Sequence, residues 1–279
     1  MRILHAFGNW KWTGPAEPAI NLAWQQRERH DVLVAVGPCP YADLENLVAV
    51  EARKRALEVV EGAALQASEP LKVWRAARWL VDLVRVRQVD LVHVHLDADH
   101  AAAASGRTRR SCWCTYYDRL PRSYSPRDTH QLRRTDGLLV VSTQALGELR
   151  ARHPSFAQRS SIQPGAIDLG RFGVLERSPL ELRAQLGLPE HAVLGGIVAR
   201  VQRHRRYEVL LEALARAART APELHLVILG RGTFADEIAG ATAQRLRLGE
   251  RVHRLGYLEG AAYVAALNAL DFALYLDAG

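Results

Sequence analysis

Cysteine and long apolar runs are scarce in this sequence. It holds 3 cysteines in 279 residues, Cys39, Cys112 and Cys114. Such an odd, sparse set argues against a disulfide scaffold and is typical of a reducing cytoplasm. No apolar run reaches the roughly 18 residues of a membrane span. The N-terminus also lacks the long apolar stretch of a secretory signal. We therefore expect a cytoplasmic protein.

Lysine is scarce too, which gives the positive charge an unusual source. The 37 Lys+Arg residues exceed the 30 Asp+Glu residues and give a formal net charge of +7. Lysine occurs only as Lys11, Lys54 and Lys72, so the charge is almost wholly arginine. The planar fork of arginine suits phosphate. A coding bias toward arginine explains the excess equally well.

The arginine excess is concentrated in one segment. Between Gly106 and Arg134, eight arginines stand against two acids, Asp118 and Asp128. A patch of this kind favours an anionic membrane surface or a phosphorylated substrate. Because no nucleic-acid-binding motif and no interleaved aromatic side chains accompany it, we expect no nucleic-acid partner.

Short apolar runs alternate with longer amphipathic stretches along the whole chain. The predicted strands are Arg2–Phe7, Val32–Val36, Leu91–His95, Cys112–Tyr116, Gly137–Val141, Leu194–Val198, Leu224–Leu229, Arg251–Arg254 and Asp271–Leu276. The predicted helices are Ala16–Arg29, Pro70–Arg87, Gln144–Arg152, Tyr207–Thr220 and Ala235–Leu246. This alternation predicts βαβ units and mainly parallel sheets in an α/β protein.

A domain boundary is indicated at residues 164–179, where turn residues cluster without clear periodicity. We expect two doubly wound, Rossmann-like domains, residues 1–160 and 161–279. Ser178-Pro179-Leu180-Glu181 has the pattern of a capping box that starts a short helix. The last predicted strand looks buried and the chain stops soon after it, at Gly279. The second domain is therefore expected to be incomplete, as a fragment or as a naturally short form.

Loops that follow strands are the candidate ligand sites, because ligands of open parallel sheets bind at the carboxyl ends of strands. The first such loop, residues 8–15, ends in Gly14-Pro15 at a helix start. It could offer backbone N–H groups to a phosphate or a sugar hydroxyl, although an ordinary strand-to-helix turn looks the same. The loop is not GxGxxG, which counts against a nucleotide-dependent oxidoreductase or epimerase.

Histidines mark the end of another strand. If the strand runs that far, alternation would place His93, His95 and Asp97 on one face. This pattern allows a metal site, but strand-end His and Asp residues more often hydrogen-bond to a substrate or a loop. No second set of ligands supports a metal, so we expect none. Cys112 and Cys114 are expected to pack in the core.

Arginines follow the strand Leu194–Val198, at positions 200, 203, 205 and 206. Several forked hydrogen bonds from such a group could hold a pyrophosphate. The alternative is a solvated basic helix start, which is disfavoured because cations destabilise a helix N-terminus unless an anion binds there. Gly230-Arg231-Gly232-Thr233 forms a further glycine-bearing turn after a strand.

Taken in order, these loops resemble the retaining GT-B glycosyltransferases of family 4, the glycosyltransferase group 1 type. The resembling segments are Gly14-Pro15-Ala16-Glu17 (GGAE in the family), Asp90 to His95 (DVVHVH), Val141-Ser142 (VS), Pro164 to Asp168 with Phe172 (PNGVD…F), Ala199-Arg200 with Arg205 (GR…K), Leu229 to Gly232 (VGDG) and Gly256-Tyr257. Each motif alone is weak, but their common order along nearly the whole chain is specific.

The chain departs from the family pattern at several positions. Pro15, Gly165 and Arg205 replace a glycine, an asparagine and a lysine. Tyr117 stands where family members often have a histidine. The family's Glu-x7-Glu segment would lie beyond Gly279.

The resemblance implies transfer of a sugar from a nucleotide-sugar donor to a glycan or lipid-linked acceptor, with retention and without a metal or other cofactor. The implied catalytic residues are Arg200, Arg205 and His95. The implied donor-binding residues are Gly14, Arg200, Arg205, Gly230, Gly232, Gly256 and Tyr257. The implied acceptor-binding residues are Gly14, His95 and Tyr117.

The resemblance and the arginine-rich segment together favour a cytoplasmic enzyme at the inner face of the cell membrane, in the synthesis of cell-envelope polysaccharide. The alternative is a non-catalytic or truncated pseudo-glycosyltransferase that binds ligands on the same fold. The activity of the 279-residue form itself is left open by the sequence.

Overall fold

The computed structural model describes residues 1–62, 69–117, 120–122, 125–173, 180–232 and 234–276. The chain divides into two compact units, Met1–Asp168 and Leu169–Gly279. The division falls after Asp168 rather than after residue 160, because a strand at Ser160–Ile162 pairs with the strand Gly137–Val140 of the first unit.

The described part of the first unit contains a seven-stranded parallel sheet. Its strands are β1 (Arg2–Phe7), β2 (Asp31–Val36), β3 (Glu58–Glu61), β4 (Leu91–Val94), β5 (Ser111–Tyr116), β6 (Gly137–Val140) and β7 (Ser160–Ile162). Their order is β3-β2-β1-β4-β5-β6-β7, the doubly wound order of Rossmann-type domains. The predicted α/β class is confirmed.

Helices cover both faces of this sheet. They are α1 (Ala16–Gln26), α2 (Leu47–Lys54), α3 (Pro70–Val86), α4 (Asp97–Gly106), α5 (Pro126–Leu132) and α6 (Thr143–Arg152), followed by the 3-10 turn Pro154–Arg159. Alternate residues of β1 pack on opposite faces: Ile3 and Phe7 with α1 and α2, and Leu4 and Ala6 with α3 and α4. Cys112 and Cys114 are buried free thiols of the core, as predicted.

Two short strands and several helices of the first unit were not predicted from the sequence. α2 begins where the Asn46 side chain accepts a hydrogen bond from the Ala49 N–H. α4 begins at Asp97, so the strand before it ends at Val94 rather than at His95. The strand therefore does not run as far as Asp97, which already belongs to a helix.

The described part of the second unit contains a four-stranded parallel sheet of order β10-β9-β8-β11. Its strands are β8 (Val193–Val198), β9 (Leu224–Leu229), β10 (Val252–Gly256) and β11 (Phe272–Leu274). Its helices are α7 (Leu180–Gln185), α8 (Tyr207–Ala217), α9 (Ala241–Arg245) and α10 (Gly260–Asn268). A π-helical turn, Asp236–Gly240, precedes α9 and interrupts the single helix predicted there. Ser178 and Pro179 of the predicted capping box lie outside the described residues.

The last strand, β11, is not buried as the sequence suggested. Phe272 is 40% exposed, and Tyr275 just after the strand is 74% exposed. The reason is position: among the described residues β11 is the edge strand beside β8. An apolar run does not distinguish an edge strand from a central one.

A buried arginine connects β11 to the rest of the second unit. Arg183 of α7 is 4% exposed and donates to the Asp271 carboxylate at 2.6 Å. Its guanidinium also donates to the carbonyl oxygens of Ala192 and Ala269. The same Asp271 oxygen accepts the Leu194 N–H at 2.7 Å, which holds the start of β11 against β8.

Candidate functional site

The strand order of each sheet marks where a ligand would bind. In the first unit the order reverses between β1 and β4, and in the second between β8 and β11. Ligands of such sheets bind outside the carboxyl ends of the strands at this switch point. The loops after β1, β4 and β8 therefore lie where binding is expected, and the loops after β5 and β9 lie beside them.

In the second unit, two glycines bring the loops after β8 and β9 into contact. A Cβ atom on Gly230 would lie 2.1 Å from the Ala199 carbonyl oxygen, and one on Gly232 would lie 2.1 Å from that of Val201. The backbones are also hydrogen-bonded, from the Ala199 N–H to the Leu229 carbonyl at 3.1 Å. Both sites thus need glycine for the loops to run side by side.

Arg200 lies in the first of these loops, between the two residues that the glycines contact. It is exposed, and we find no ion pair of its guanidinium within the described residues. The second loop adds Arg231, whose guanidinium lies 4.7 Å from the centre of the Tyr257 ring. The Gly230 N–H donates to the Gly256 carbonyl at 2.7 Å. The structure therefore brings the predicted donor residues of these loops to one edge of the sheet.

Two of the arginines that follow Arg200, Arg205 and Arg203, make different contacts. The Arg205 guanidinium lies 4.9 Å from the centre of the Tyr275 ring, just after β11. Arg203 pairs with Glu237 at 2.5 Å, so its charge is offset within the protein. Arg200, Arg205 and Arg231 thus form the basic edge of the second unit.

Tyr207 holds the start of α8 beside this basic edge, and sequence reasoning missed it. Its ring is fully buried, and its hydroxyl donates to the Ala199 carbonyl at 3.0 Å. Burial raises the pKa of Tyr207 to about 12, so it stays a neutral donor. The sequence gives no signal for this role, because a tyrosine at the start of a helix can equally be an ordinary core residue.

In the first unit, His95 and Tyr117, two of the three predicted acceptor residues, line a pocket of about 230 Å³ at the carboxyl ends of β4 and β5, and Gly14 is not among the residues that line it. Pro15, His95, Asp97 and Tyr117 contribute to its wall. Gly14 is exposed, and no described atom would lie within 4 Å of a Cβ added to it. A side chain at position 14 would therefore meet no steric clash with the described residues, so the space around it does not require glycine.

His95 belongs to a chain of hydrogen bonds inside the sheet. Its Nε2 lies 2.9 Å from Nδ1 of His5, and its Nδ1 lies 3.1 Å from the Tyr117 hydroxyl. Nε2 of His5 lies 2.8 Å from the side-chain oxygen of Gln26. Burial lowers the pKa of His5 to about 4, against a weaker opposing effect of the Gln26 bond. Burial also lowers the pKa of His95, well below its usual value.

Three histidines at this switch point could supply metal ligands. His93 joins His5 and His95, with ring nitrogens within 4.8 Å of one another, and its Nε2 lies 2.8 Å from the Thr115 hydroxyl. The facing nitrogens of His5 and His95 are hydrogen-bonded to each other, so an ion would have to displace that bond. The absence of a metal stays a prediction. The third member of the histidine group beside His93 and His95 is His5, not Asp97.

Asp99 fixes the start of the first loop and was not found from the sequence. Its carboxylate is fully buried, and both of its oxygens accept the Gly8 N–H at 3.1 Å. Burial raises the pKa of Asp99 well above its usual value, although the N–H groups of Gly8 and Leu96 oppose the shift. An acid in the first turn of a helix gives no sequence signal for such a long-range contact.

The arginine-rich segment is largely on the surface. Its exposed arginines are Arg107, Arg109, Arg110, Arg122, Arg127 and Arg133. Arg134 is half-buried and donates to the Ala104 carbonyl at 2.9 Å. Arg119 lies outside the described residues. Among the helices that the structure describes, none is both long and apolar enough to cross a bilayer.

Comparison with known families decides the class of the protein. Residues 14–171, more than half of the chain, match the family model of Glycosyltransferase Family 4. The chain belongs to Glycosyltransferase Family 4. The match covers the family 4 loop at Gly14 and the residues His95 and Tyr117 of the pocket. Arg200 and Arg205 lie beyond the matched residues. The roles of all five residues stay predictions.

A curated relative of this family 4 chain is named as a glycosyltransferase. The D-inositol 3-phosphate glycosyltransferase of Segniliparus rotundus is 29% identical over 118 residues, which are 41% of this chain and 26% of that relative. The chain thus aligns with about a quarter of the length of this curated relative.

Solved structures confirm the GT-B fold of the family 4 chain. HepE (Alr3699) of Anabaena in complex with UDP has a TM-score of 0.77 at 17% identity, over 100% of this chain and 75% of HepE. The same protein has also been solved with UDP-glucose, with a TM-score of 0.75. The lipopolysaccharide outer core galactosyltransferase WaaB has a TM-score of 0.66 at 14% identity, over 99% of this chain and 74% of WaaB.

Proposed function

We propose that this chain is a retaining glycosyltransferase that moves a sugar from a nucleotide-sugar donor to a glycan or lipid-linked acceptor. Family membership supports the class of reaction. The binding of UDP and UDP-glucose by HepE supports a nucleotide-sugar donor. The observation that carries the proposal is the basic edge of the second unit, with Arg200 free of ion pairs among the described residues.

The basic edge suits the leaving group of the reaction. When the sugar leaves, negative charge builds up on the departing diphosphate, and fixed cations stabilise it in the transition state. Arg200 and Arg205 supply this charge without a metal ion. The close-packed loop at Gly230 and Gly232 presents backbone to the phosphates, while Gly256 and Tyr257 contact the nucleotide. The acceptor oxygen attacks from the face that the diphosphate leaves, which retains the configuration without a protein nucleophile.

The first unit binds the acceptor in this proposal. Support comes from its pocket, which is lined by Pro15, His95 and Tyr117, with the Tyr117 hydroxyl 3.1 Å from Nδ1 of His95. Such groups suit sugar hydroxyls, and WaaB is a relative of the same fold that is named for lipopolysaccharide.

We place the reaction in the cytoplasm at the inner face of the cell membrane, as a step in cell-envelope polysaccharide synthesis. The six exposed arginines between Arg107 and Arg133 support this location. Each arginine near an anionic surface contributes about 1 kcal/mol of binding free energy.

Sugar transfer by the complete protein tests the proposal. The protein is incubated with a panel of nucleotide sugars and glycan or lipid-linked acceptors, and nucleoside diphosphate release and product configuration are followed. Arg200→Ala and Arg205→Ala should each lower turnover by about 2–4 kcal/mol in transition-state free energy. Arg203→Ala is the matched control, because Glu237 offsets its charge. Donor binding without turnover would favour the non-catalytic alternative, and equal turnover in all variants would refute the site.

A further inference from the structure

Four side chains form a continuous hydrogen-bonded chain from the surface of α1 to the pocket of the first unit. In order they are Gln26, His5, His95 and Tyr117, linked at 2.8, 2.9 and 3.1 Å. Gln26 is half-buried, whereas His5 and His95 are only 1% and 2% exposed. Among the described residues, Tyr117 and His95 line the pocket, and Gln26 and His5 do not.

Hydrogen-bond chemistry gives this chain one direction. The Gln26 side-chain oxygen can only accept, so Nε2 of His5 carries the proton and donates to it. A neutral imidazole has one N–H, so Nδ1 of His5 accepts from Nε2–H of His95. Nδ1 of His95 must then accept from the Tyr117 hydroxyl. Both rings are neutral because burial lowers the pKa of each histidine.

The direction of the chain determines what Tyr117 offers to the pocket. Because its proton points to His95, its oxygen can only accept hydrogen bonds, from the neighbouring Thr115 side chain and from a ligand in the pocket. A ligand at this wall must therefore donate, as a carbohydrate hydroxyl does. If the chain ran the other way, the Tyr117 proton would point into the pocket and favour a ligand that accepts.

We propose that Gln26 and His5 are positioning residues that orient the Tyr117 hydroxyl through His95, so that Tyr117 accepts a hydrogen bond from an acceptor hydroxyl. The inference rests on the proposed function. It assigns a role in acceptor recognition to two residues that do not line the pocket, one of them at the end of α1. The metal-ligand alternative for these histidines is disfavoured because His5 and His95 use their facing nitrogens on each other.

The proton positions can be measured without any activity. Side-chain nitrogen shifts of the histidines, recorded by NMR on the 15N-labelled protein, report which ring nitrogen carries the proton. The chain predicts that His5 and His95 are both neutral and both protonated on Nε2. Protonation of both rings on Nδ1 would overturn the proposal. Stoichiometric zinc retained by the purified protein would also overturn it, since the ion would take the same nitrogens.

Gln26 variants test the functional consequence. Gln26→Leu removes the acceptor at the end of the chain and should raise the acceptor KM about 5- to 10-fold, the effect of one hydrogen bond, with kcat and donor KM nearly unchanged. Gln26→Glu keeps an accepting oxygen and should leave the acceptor KM near that of the unchanged protein. This variant also tests the proposal if Gln26→Leu folds poorly. Gln25→Leu changes the exposed neighbour on α1 and is the control.

An unchanged acceptor KM in Gln26→Leu, with the NMR signature intact, would make the chain merely structural and overturn the proposal. This failure is distinct from failure of the proposed function. The latter appears as transfer that is absent, or that is insensitive to Arg200→Ala.

Discussion

A Cβ atom on Gly230 would lie 2.1 Å from the carbonyl oxygen of Ala199, and Gly230 has φ +153°. Crowding and backbone conformation thus both require glycine at this one residue. The contact sets the spacing of the loops that carry Arg200 and Arg231. The basic edge of the second unit therefore depends on a residue without a side chain.

We predict that Gly230→Ala destabilises the protein. The strained backbone alone costs about 1–3 kcal/mol for a residue with a Cβ, and the overlap with Ala199 adds to it. Gly249→Ala is the matched control in the same unit, because no described atom would lie within 4 Å of its Cβ. Urea unfolding of both variants measures the difference, and equal midpoints would contradict the described loop contact.

The buried histidines of the first unit predict a loss of stability in mild acid. Burial lowers the pKa of His5 and of His100 from 6.5 to about 4, and it lowers the pKa of His93 and His95 as well. The unfolded chain binds protons below about pH 6.5, whereas the folded chain resists them until about pH 4. The contribution of these histidines to the free energy of unfolding is therefore fully present above pH 6.5, and it is lost as the pH drops from about 6.5 to about 4.

The size of this loss follows from the pKa shifts. Of this loss in the free energy of unfolding, His5 and His100 each account for up to about 3 kcal/mol by pH 4. The raised pKa of the Asp99 carboxyl works in the opposite direction, but it is one group against four. Urea midpoints at about pH 7.5 and about pH 5 measure the effect, and His191→Gln, at an exposed site, should leave the profile unchanged. Equal midpoints at the two pH values would refute the prediction.

The contact between Arg183 and Asp271 should be worth more than an ordinary surface pair. Asp271→Ala would leave a buried guanidinium without its carboxylate, which we expect to cost about 2 kcal/mol of unfolding free energy. Glu212→Ala breaks an exposed pair with Arg245 and should cost less than about 1 kcal/mol. Thermal unfolding compares the two variants. A smaller loss in Asp271→Ala than in Glu212→Ala would show that the pair of Arg183 and Asp271 does not anchor β11.

Flotation with vesicles tests the proposed membrane face. The protein should float with anionic vesicles at low salt and release as salt rises. Arg109→Glu with Arg110→Glu reverses two exposed charges and should weaken binding strongly, since each arginine contributes about 1 kcal/mol. The control is Arg219→Glu with Arg247→Glu, which makes the same charge change on the exposed surface of the second unit and should weaken binding less. Absence of flotation, or an equal loss of vesicle binding in both double variants, would refute the proposal that these arginines of the first unit bind the membrane.

Much of the fold could be predicted because hydrophobic periodicity reports local structure. β1 and β9 occupy the predicted residues, Arg2–Phe7 and Leu224–Leu229. β3 and β7 were missed because Glu58–Glu61 and Ser160–Ile162 are short and partly polar, like many edge strands. β11 was read as buried because burial of an apolar run depends on what packs over it.

The candidate site was predictable as loops but not as contacts. The positions of Arg200, Gly230 and Gly232 after strands follow from topology alone. The partners of Gly8 and His5 do not, because Asp99 and His95 lie 91 and 90 residues away in sequence. Contacts of this kind depend on the tertiary arrangement of β1, β4 and α4, which local pattern does not determine.

Binding of a nucleoside diphosphate tests the central claim most directly, because it isolates the basic edge from acceptor and turnover. UDP, which HepE binds, is titrated calorimetrically into the complete protein alongside ADP and GDP. We predict binding of at least one of the three, weakened about 10- to 100-fold by Arg200→Ala or Arg205→Ala, the range for hydrogen bonds to charged groups. Arg203→Ala should bind as the unchanged protein does. No binding of any nucleoside diphosphate, or equal Kd values in all variants, would contradict the account.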